Sequence, residues 1–88
     1  GIVHGGVVST VLDEAMSKAV AASGLEALTA ELRVRFRAPV RSGEEYVVRG
    51  WMSRRSKRLL ETEAILASPD RGECAHAWAR FLALPGGQ

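Results

Sequence analysis

At 88 residues the chain is long enough for one small domain. Apolar residues make up 47% of it, which excludes a disordered segment, and no apolar stretch is long enough to cross a bilayer. The net charge is +2, from 12 basic and 10 acidic residues, so no overall field demands a nucleic-acid partner. No signal peptide is visible, and we expect a cytoplasmic protein that gains stability by oligomerisation.

The sequence favours neither a disulfide nor a metal site. Cys74 is the single cysteine, so it cannot form an internal disulfide, and we interpret it as a half-buried strand residue. The two histidines and the cysteine do not stand at the spacing of metal ligands. We therefore expect no metal and no cofactor.

The first element is predicted to be an amphipathic helix that ends near Ser23 and Gly24. Its apolar residues recur at spacings of three and four: Val8, Val11, Leu12, Ala15, Met16, Ala19 and Val20. At 100° per residue Asp13 falls on the margin of this stripe, between Ser9 and Ser17, where a carboxylate can face a partly desolvated cleft. Asp13 is therefore the candidate for chemistry on this helix.

Period-two alternation then predicts four strands, so the fold class is α+β. In the first strand Leu32, Val34 and Phe36 point one way, whereas Thr29 and the charged residues after it point the other way. Ser42-Gly43 and the run 68–72 predict turns. The last strand carries one face of small residues, which lets a sheet wrap closely around a helix, and its His76 and Trp78 are predicted to be packing or interface residues.

The helix start is the strongest functional signal. His4-Gly5-Gly6 leaves backbone N–H groups uncovered at the positive end of the helix dipole, which suits an oxyanion or a polarised carbonyl oxygen. Gly5 and Asp13 lie eight residues apart, or roughly 12 Å along one helix. If both act on the same carbonyl, they must come from different subunits.

The run HGGVVSTVLDEA at 4–15, with the strand patterns TAELRVRFRAPV and SGEEYVVRG behind it, resembles the hotdog-fold acyl-CoA thioesterases. The resemblance implies one long helix wrapped by an antiparallel sheet, and hydrolysis of an acyl-CoA thioester to the free acid and CoA. It also implies a homodimer with a continuous sheet, and a homotetramer built from it. In the composite site His4 and Gly5 would come from one protomer, and Asp13 and Thr29 from the other.

The resemblance also suggests a role for each residue. The Gly5 N–H would polarise the thioester oxygen, with Gly6 beside it as a substrate-binding residue. Asp13 would act as a general base on water or as a nucleophile, and the sequence leaves both routes open. Thr29 would hold the attacking water, while His4 would orient the loop or the substrate.

A basic cluster at a predicted hairpin tip offers a second contact with the substrate. Because coenzyme A carries a 3′-phosphate and a pyrophosphate, Arg55, Lys57 and Arg58 are candidates for binding it. The alternatives are a solvated hairpin or a nucleic-acid contact, and the latter is disfavoured because Trp51 is the only aromatic nearby.

Two other functions fit parts of the pattern. A hotdog hydroxyacyl dehydratase also uses a histidine and a helix acid, but its histidine sits in a different sequence setting. A non-catalytic acyl-CoA-binding module would keep the pocket without the carboxylate, and Asp13 argues against it. The family has a strand and a loop with an asparagine before the His-Gly-Gly, which this sequence does not include, so we expect residues 1–88 to form a single hotdog domain that is incomplete at its N-terminus.

Overall fold

The structure is a computed structural model that describes residues 1–85, so the end of the predicted domain, 86–88, lies outside the described residues. It contains one helix followed by four strands: α1 (Gly5–Ala22), β1 (Ala27–Phe36), β2 (Val47–Ser56), β3 (Leu59–Ser68) and β4 (Gly72–Ala83). The strands form one antiparallel sheet in the order β1-β4-β3-β2, with α1 against one face. The predicted α+β class is confirmed.

Helix α1 follows the apolar stripe of the sequence. Val8, Leu12, Met16 and Val20 are its buried residues and face the sheet. The helix ends before Gly24, whose φ of 84° is left-handed and therefore suits glycine. The predicted helix and its C-terminal stop are both confirmed.

The helix approaches the sheet most closely at Gly50 on β2. A Cβ at Gly50 would lie 2.6 Å from the carbonyl oxygen of Ala15, so a side chain does not fit here. The small residues of β4 provide the rest of the close fit, because Ala75, Ala77 and Ala79 are all buried. As a result α1 packs mainly over β2 and β3 and makes its fewest contacts with β1.

A bulge in β1 changes which side chains face the helix. Leu32, Val34 and Phe36 pair with the buried alanines of β4, as the alternation predicts. The register shifts between Thr29 and Glu31, and Thr29 pairs with the buried Phe81, so Thr29 also lies on the helix-facing side. The prediction that Thr29 faces away from Leu32 was wrong, because the extra residue at the bulge reverses the alternation.

The outer face of the sheet, opposite the helix, carries an aromatic cluster. The rings of His76 and Trp78 stack with their centroids 4.1 Å apart, and Trp51 meets His76 edge-on at 6.5 Å. Nε2 of His76 lies 2.9 Å from Glu63, and the Arg33 guanidinium lies 4.6 Å from the centre of the Trp78 ring. His76 and Trp78 thus pack against each other, as predicted.

Two further observations complete the fold. Cys74 is fully buried rather than half-buried. Within residues 1–85 we find no helix with the length and apolar character needed to cross a membrane.

Candidate functional site

The start of α1 leaves one backbone donor free. The N–H groups of Val7 and Val8 donate to the His4 carbonyl oxygen at 3.0 and 3.2 Å, and the Gly6 N–H donates to Nδ1 of His4 at 2.9 Å. Among residues 1–85 the Gly5 N–H finds no acceptor, and it lies at the positive end of the helix dipole. The donor predicted at Gly5 is therefore available, whereas the one at Gly6 is already used.

His4 is the N-terminal cap of the helix. Its backbone is extended, with φ −60° and ψ 139°, and its Nδ1 accepts the Gly6 N–H. A ring nitrogen that accepts a hydrogen bond carries no proton, so in this arrangement Nε2 is the protonated nitrogen. His4 therefore caps the helix start and has Nε2–H as a remaining donor, while its role in orienting the substrate stays a prediction.

Asp13 lies in the middle of α1 with an unusual environment. Its side chain is half-buried, and Oδ1 is buried with no hydrogen-bond partner among residues 1–85. A buried carboxylate oxygen without a donor is unfavourable by about 1–3 kcal/mol or more, so such an atom calls for an explanation. Its neighbours on the same helix margin, Ser9 and Ser17, are also half-buried.

This margin faces β1. Ala15, on the other side of the buried stripe, meets Gly50 of β2, whereas Ser17 lines a cleft together with Ala27 of β1. Asp13 therefore looks toward the side of the helix where the sheet covers it least. The free Gly5 N–H belongs to the same helix, next to the end of β1.

Phe36 is the neighbour of Gly5 on that side. A Cβ at Gly5 would lie 3.3 Å from Cζ of Phe36, and the phenylalanine is 51% exposed. Both residues line an open cleft of about 370 Å³ whose other members are mostly apolar: Ile2, Val3, Val8, Arg37, Ala38, Pro39 and Val40. Nothing in the sequence indicated this contact, since the alternation placed Phe36 only on the same strand face as Leu32 and Val34.

Hydrogen bonds hold the walls of this cleft in place. The Val3 N–H donates to the Val40 carbonyl oxygen at 2.7 Å, and the Ala38 N–H donates to the Cys74 carbonyl oxygen at 3.2 Å. Arg71 donates to the Pro39 carbonyl oxygen at 2.8 Å and to Glu44 at 2.7 Å. Desolvation disfavours the charge on Arg71. The Tyr46 hydroxyl and the Glu44 carboxylate favour that charge more strongly, and together they raise the pKa of the guanidinium above its ordinary value.

One protomer does not bring the predicted catalytic residues together. Gly5 and Asp13 lie in one unbroken helix, about 12 Å apart along its axis. Thr29 pairs with Phe81, six residues along β4 from the partner of Phe36, which places it about 20 Å from the Gly5 end of the sheet. The Thr29 hydroxyl makes no hydrogen bond to Asp13.

The basic cluster does form a hairpin tip, as predicted. Residues 57 and 58 make the turn between β2 and β3, and Lys57 has a left-handed φ of 54°. Arg58 is partly engaged, because its Nε donates to the Ala83 carbonyl oxygen at 3.0 Å. The tip adjoins Leu82, seven residues from Ala75, so within one protomer it lies about 23 Å from the Gly5 end.

Comparison with known proteins identifies the family to which this architecture belongs. The profile of the thioesterase superfamily matches residues 1–75. The BH2602 protein from Bacillus halodurans, solved with CoA, is 25% identical with a TM-score of 0.85, and the match covers 96% of this chain and 61% of that one. RHA08564, described as a thioesterase superfamily protein, is 28% identical with a TM-score of 0.88, over 93% of this chain and 40% of that one.

A hypothetical thioesterase from Streptococcus pneumoniae TIGR4, solved with coenzyme A, shares the fold. Its TM-score is 0.93 at 16% identity, over 100% of this chain and 67% of that one. The chain spans only part of each of these three proteins. Among curated proteins none matches significantly.

These matches define a helix wrapped by an antiparallel sheet in the hotdog arrangement, which confirms the predicted fold. The chain belongs to the thioesterase superfamily.

Proposed function

We propose that the chain hydrolyses acyl-CoA thioesters at a site shared between two protomers. The observation that carries this proposal is the buried Oδ1 of Asp13, on the open side of a helix whose first N–H is that of Gly5. Neither group has a hydrogen-bond partner within residues 1–85. One group can serve as base or nucleophile and the other can stabilise an oxyanion. Membership of the superfamily and the CoA complexes of related structures support the same assignment.

In this mechanism the thioester oxygen accepts the Gly5 N–H, and the helix dipole favours the negative charge that develops on it. Asp13 removes a proton from water, and the resulting hydroxide attacks the carbonyl carbon. The tetrahedral intermediate then collapses, the C–S bond breaks, and the thiolate of CoA takes the proton held by Asp13. In the alternative route the Asp13 carboxylate attacks first, CoA leaves, and water hydrolyses the mixed anhydride.

The separation of about 12 Å between Gly5 and Asp13 along α1 supports the composite arrangement. In the described part of the chain no strand pairs with the outer edge of β1, and Leu32 on its helix-facing side is 40% exposed, so a second copy has an edge to pair with. Two β1 edges paired antiparallel would set the Gly5 end of one protomer beside the opposite end of the other. His4 and Gly5 would then act with Asp13 and Thr29 of the partner, in a dimer that can pair further into a tetramer.

The same antiparallel dimer would bring the basic hairpin tip close to the proposed site. Within one protomer Arg55, Lys57 and Arg58 lie at the end of the sheet far from Gly5. An antiparallel partner would turn its own tip toward the Gly5 end. The partner's arginines and lysine would then hold the phosphates of CoA while its pantetheine arm reaches the helix start.

The first experiment is to incubate the protein with short aliphatic, long aliphatic and aromatic acyl-CoAs and to follow thiol release with a chromogenic reagent. We expect release that Asp13→Ala abolishes while acyl-CoA binding is retained. Asp13→Asn is the matched variant, because it keeps the size of the side chain and removes the carboxylate.

Unchanged turnover in both variants would remove Asp13 from the mechanism. Binding without turnover in the wild-type protein would instead indicate a non-catalytic acyl-CoA-binding module. Dehydration of a hydroxyacyl-CoA in place of thiol release would instead indicate the hotdog hydroxyacyl dehydratase.

A further inference from the structure

The proposed mechanism gives no role to the apolar cleft beside Gly5. Gly5 forms part of its lining, and Phe36 forms the wall that touches Gly5. In a thioester whose carbonyl oxygen accepts the Gly5 N–H, the acyl chain and the sulfur both leave the carbonyl carbon, two bonds from that oxygen. Of these two branches the acyl chain is the apolar one, and it therefore fits this mostly apolar cleft better than the amide-bearing pantetheine arm does.

The chemistry of the cleft selects what it can hold. Most of its lining side chains are aliphatic, and the charged one, Arg37, has its Nε 2.8 Å from Glu73. An acyl group that ends in a carboxylate would lose hydration here and would find the guanidinium already paired. An apolar acyl group would bury its surface against Phe36, Val8 and Val40.

Hydrogen bonds also hold one backbone wall of the cleft. The segment at 38–40 is tied to β4, to Val3 and to Arg71 by hydrogen bonds, and the Phe36 ring rests against the backbone of Gly5. A wall held in this way discriminates by size, because an extra methylene that does not fit has to displace hydrogen-bonded backbone.

We propose that this cleft receives the acyl group of the substrate and that Phe36 limits its size next to the carbonyl carbon. The inference rests on the proposed function and narrows it. The substrates are acyl-CoAs with an uncharged, apolar acyl group that is unbranched close to the thioester.

The test compares Phe36→Ala and Phe36→Leu with Leu28→Ala. Leu28 is the matched control, because it lies on the same edge strand, is 62% exposed, and pairs with Leu82 away from the cleft. For each variant kcat/KM is measured with butyryl-, hexanoyl-, benzoyl- and succinyl-CoA. We expect the wild-type protein to favour butyryl- and hexanoyl-CoA over succinyl-CoA, and Phe36→Ala to raise the benzoyl-to-butyryl ratio at least about tenfold.

Binding gives a second readout that does not require turnover. S-butyl-CoA, a thioether that cannot be hydrolysed, should bind the wild-type protein more tightly than CoA does, and Phe36→Ala should remove most of that difference. If the wild-type protein hydrolysed none of the four acyl-CoAs but bound S-butyl-CoA more tightly than CoA, the proposed function would be overturned and the cleft assignment would stand.

Three results would overturn the cleft assignment. They are a benzoyl-to-butyryl ratio that Phe36→Ala and Leu28→Ala change equally, a wild-type preference for succinyl-CoA, and an S-butyl-CoA advantage that survives in Phe36→Ala. Phe36→Leu guards against misfolding, since it keeps apolar packing against Gly5 and should still shift the ratio in the same direction.

Discussion

Gly5 provides both a backbone hydrogen-bond donor and a close contact with Phe36. It starts the helix, and its N–H is the one in the first turn for which residues 1–85 offer no acceptor. Its missing side chain also lets the Phe36 ring approach to 3.3 Å of the Cβ position. A donor and a close wall therefore meet at a single backbone position.

Proline at position 5 would remove the N–H donor and keep the helical backbone conformation. The first helical position tolerates proline well, and the extended backbone of His4 suits the residue before a proline. We expect Gly5→Pro to fold and to lose about 10²–10³-fold in kcat, the effect of removing one oxyanion donor. The measurement is steady-state kinetics alongside a thermal melt.

Gly5→Ala is the control for that substitution, because it adds a Cβ and keeps the N–H. It should retain most of the activity, with the Phe36 ring moving slightly. If Gly5→Pro stayed as active as Gly5→Ala, the Gly5 N–H would have no part in catalysis.

At the scale of elements, the contact of α1 with β2 depends on Gly50. A methyl group there would lie 2.6 Å from a backbone oxygen that cannot move without displacing the helix. We expect Gly50→Ala to lower the free energy of unfolding by about 1–3 kcal/mol. Urea unfolding followed by circular dichroism measures it, and Gly1→Ala, whose Cβ would meet nothing within 4 Å, should change it little. Equal urea midpoints for Gly50→Ala and Gly1→Ala would contradict the close packing of α1 against Gly50.

The β2–β3 tip permits a charge deletion without a conformational penalty. Lys57 sits at a φ of 54°, where glycine is more comfortable than alanine. We expect Arg55→Ala with Lys57→Gly to raise the Kd for CoA roughly two- to fivefold at low salt, with a smaller effect at high salt. Isothermal titration measures the Kd, and Arg49→Ala, a charge deletion on the same strand away from the tip, is the control. An equal effect of Arg49→Ala would leave the tip without a specific role.

The elements were predictable from the sequence because their patterns are local. The stripe from Val8 to Val20 defines α1, and alternation with turn residues defines the four strands. The bulge in β1 was not predictable, because a single extra residue leaves no mark in an alternating pattern, and it moved Thr29 to the other face.

The candidate site could be predicted only where a motif described it. His4, Gly5 and Asp13 were recognisable by type and spacing, but that His4 caps the helix with its own ring depends on a rotamer. The contact between Gly5 and Phe36 joins residues 31 positions apart, and only the folded sheet brings them together. Long-range neighbours of this kind carry no signal in one sequence.

For the whole molecule, the proposed composite site leads to a quantitative prediction about mixed subunits. Gly5→Pro and Asp13→Ala should each be nearly inactive alone. Unfolded together and refolded as an equal mixture, half of the dimers would be mixed, and each mixed dimer would hold one intact site. We expect recovery of about a quarter of the wild-type activity.

The control is a mixture of Asp13→Ala with Asp13→Asn, in which no site regains its carboxylate and no activity should return. Absence of recovery in the first mixture, with dimers shown by analytical ultracentrifugation, would mean that the residues act within one subunit.

The outer-face cluster has a practical consequence for such measurements. The chain has two tryptophans, and both contact His76 on the face of the sheet opposite α1. Intrinsic fluorescence therefore reports on that face and on anything that packs against it, while a ligand at the helix start leaves the emission unchanged. A spectral change on adding acyl-CoA would signal a rearrangement of the assembly, and occupancy of the site needs a label or a calorimeter.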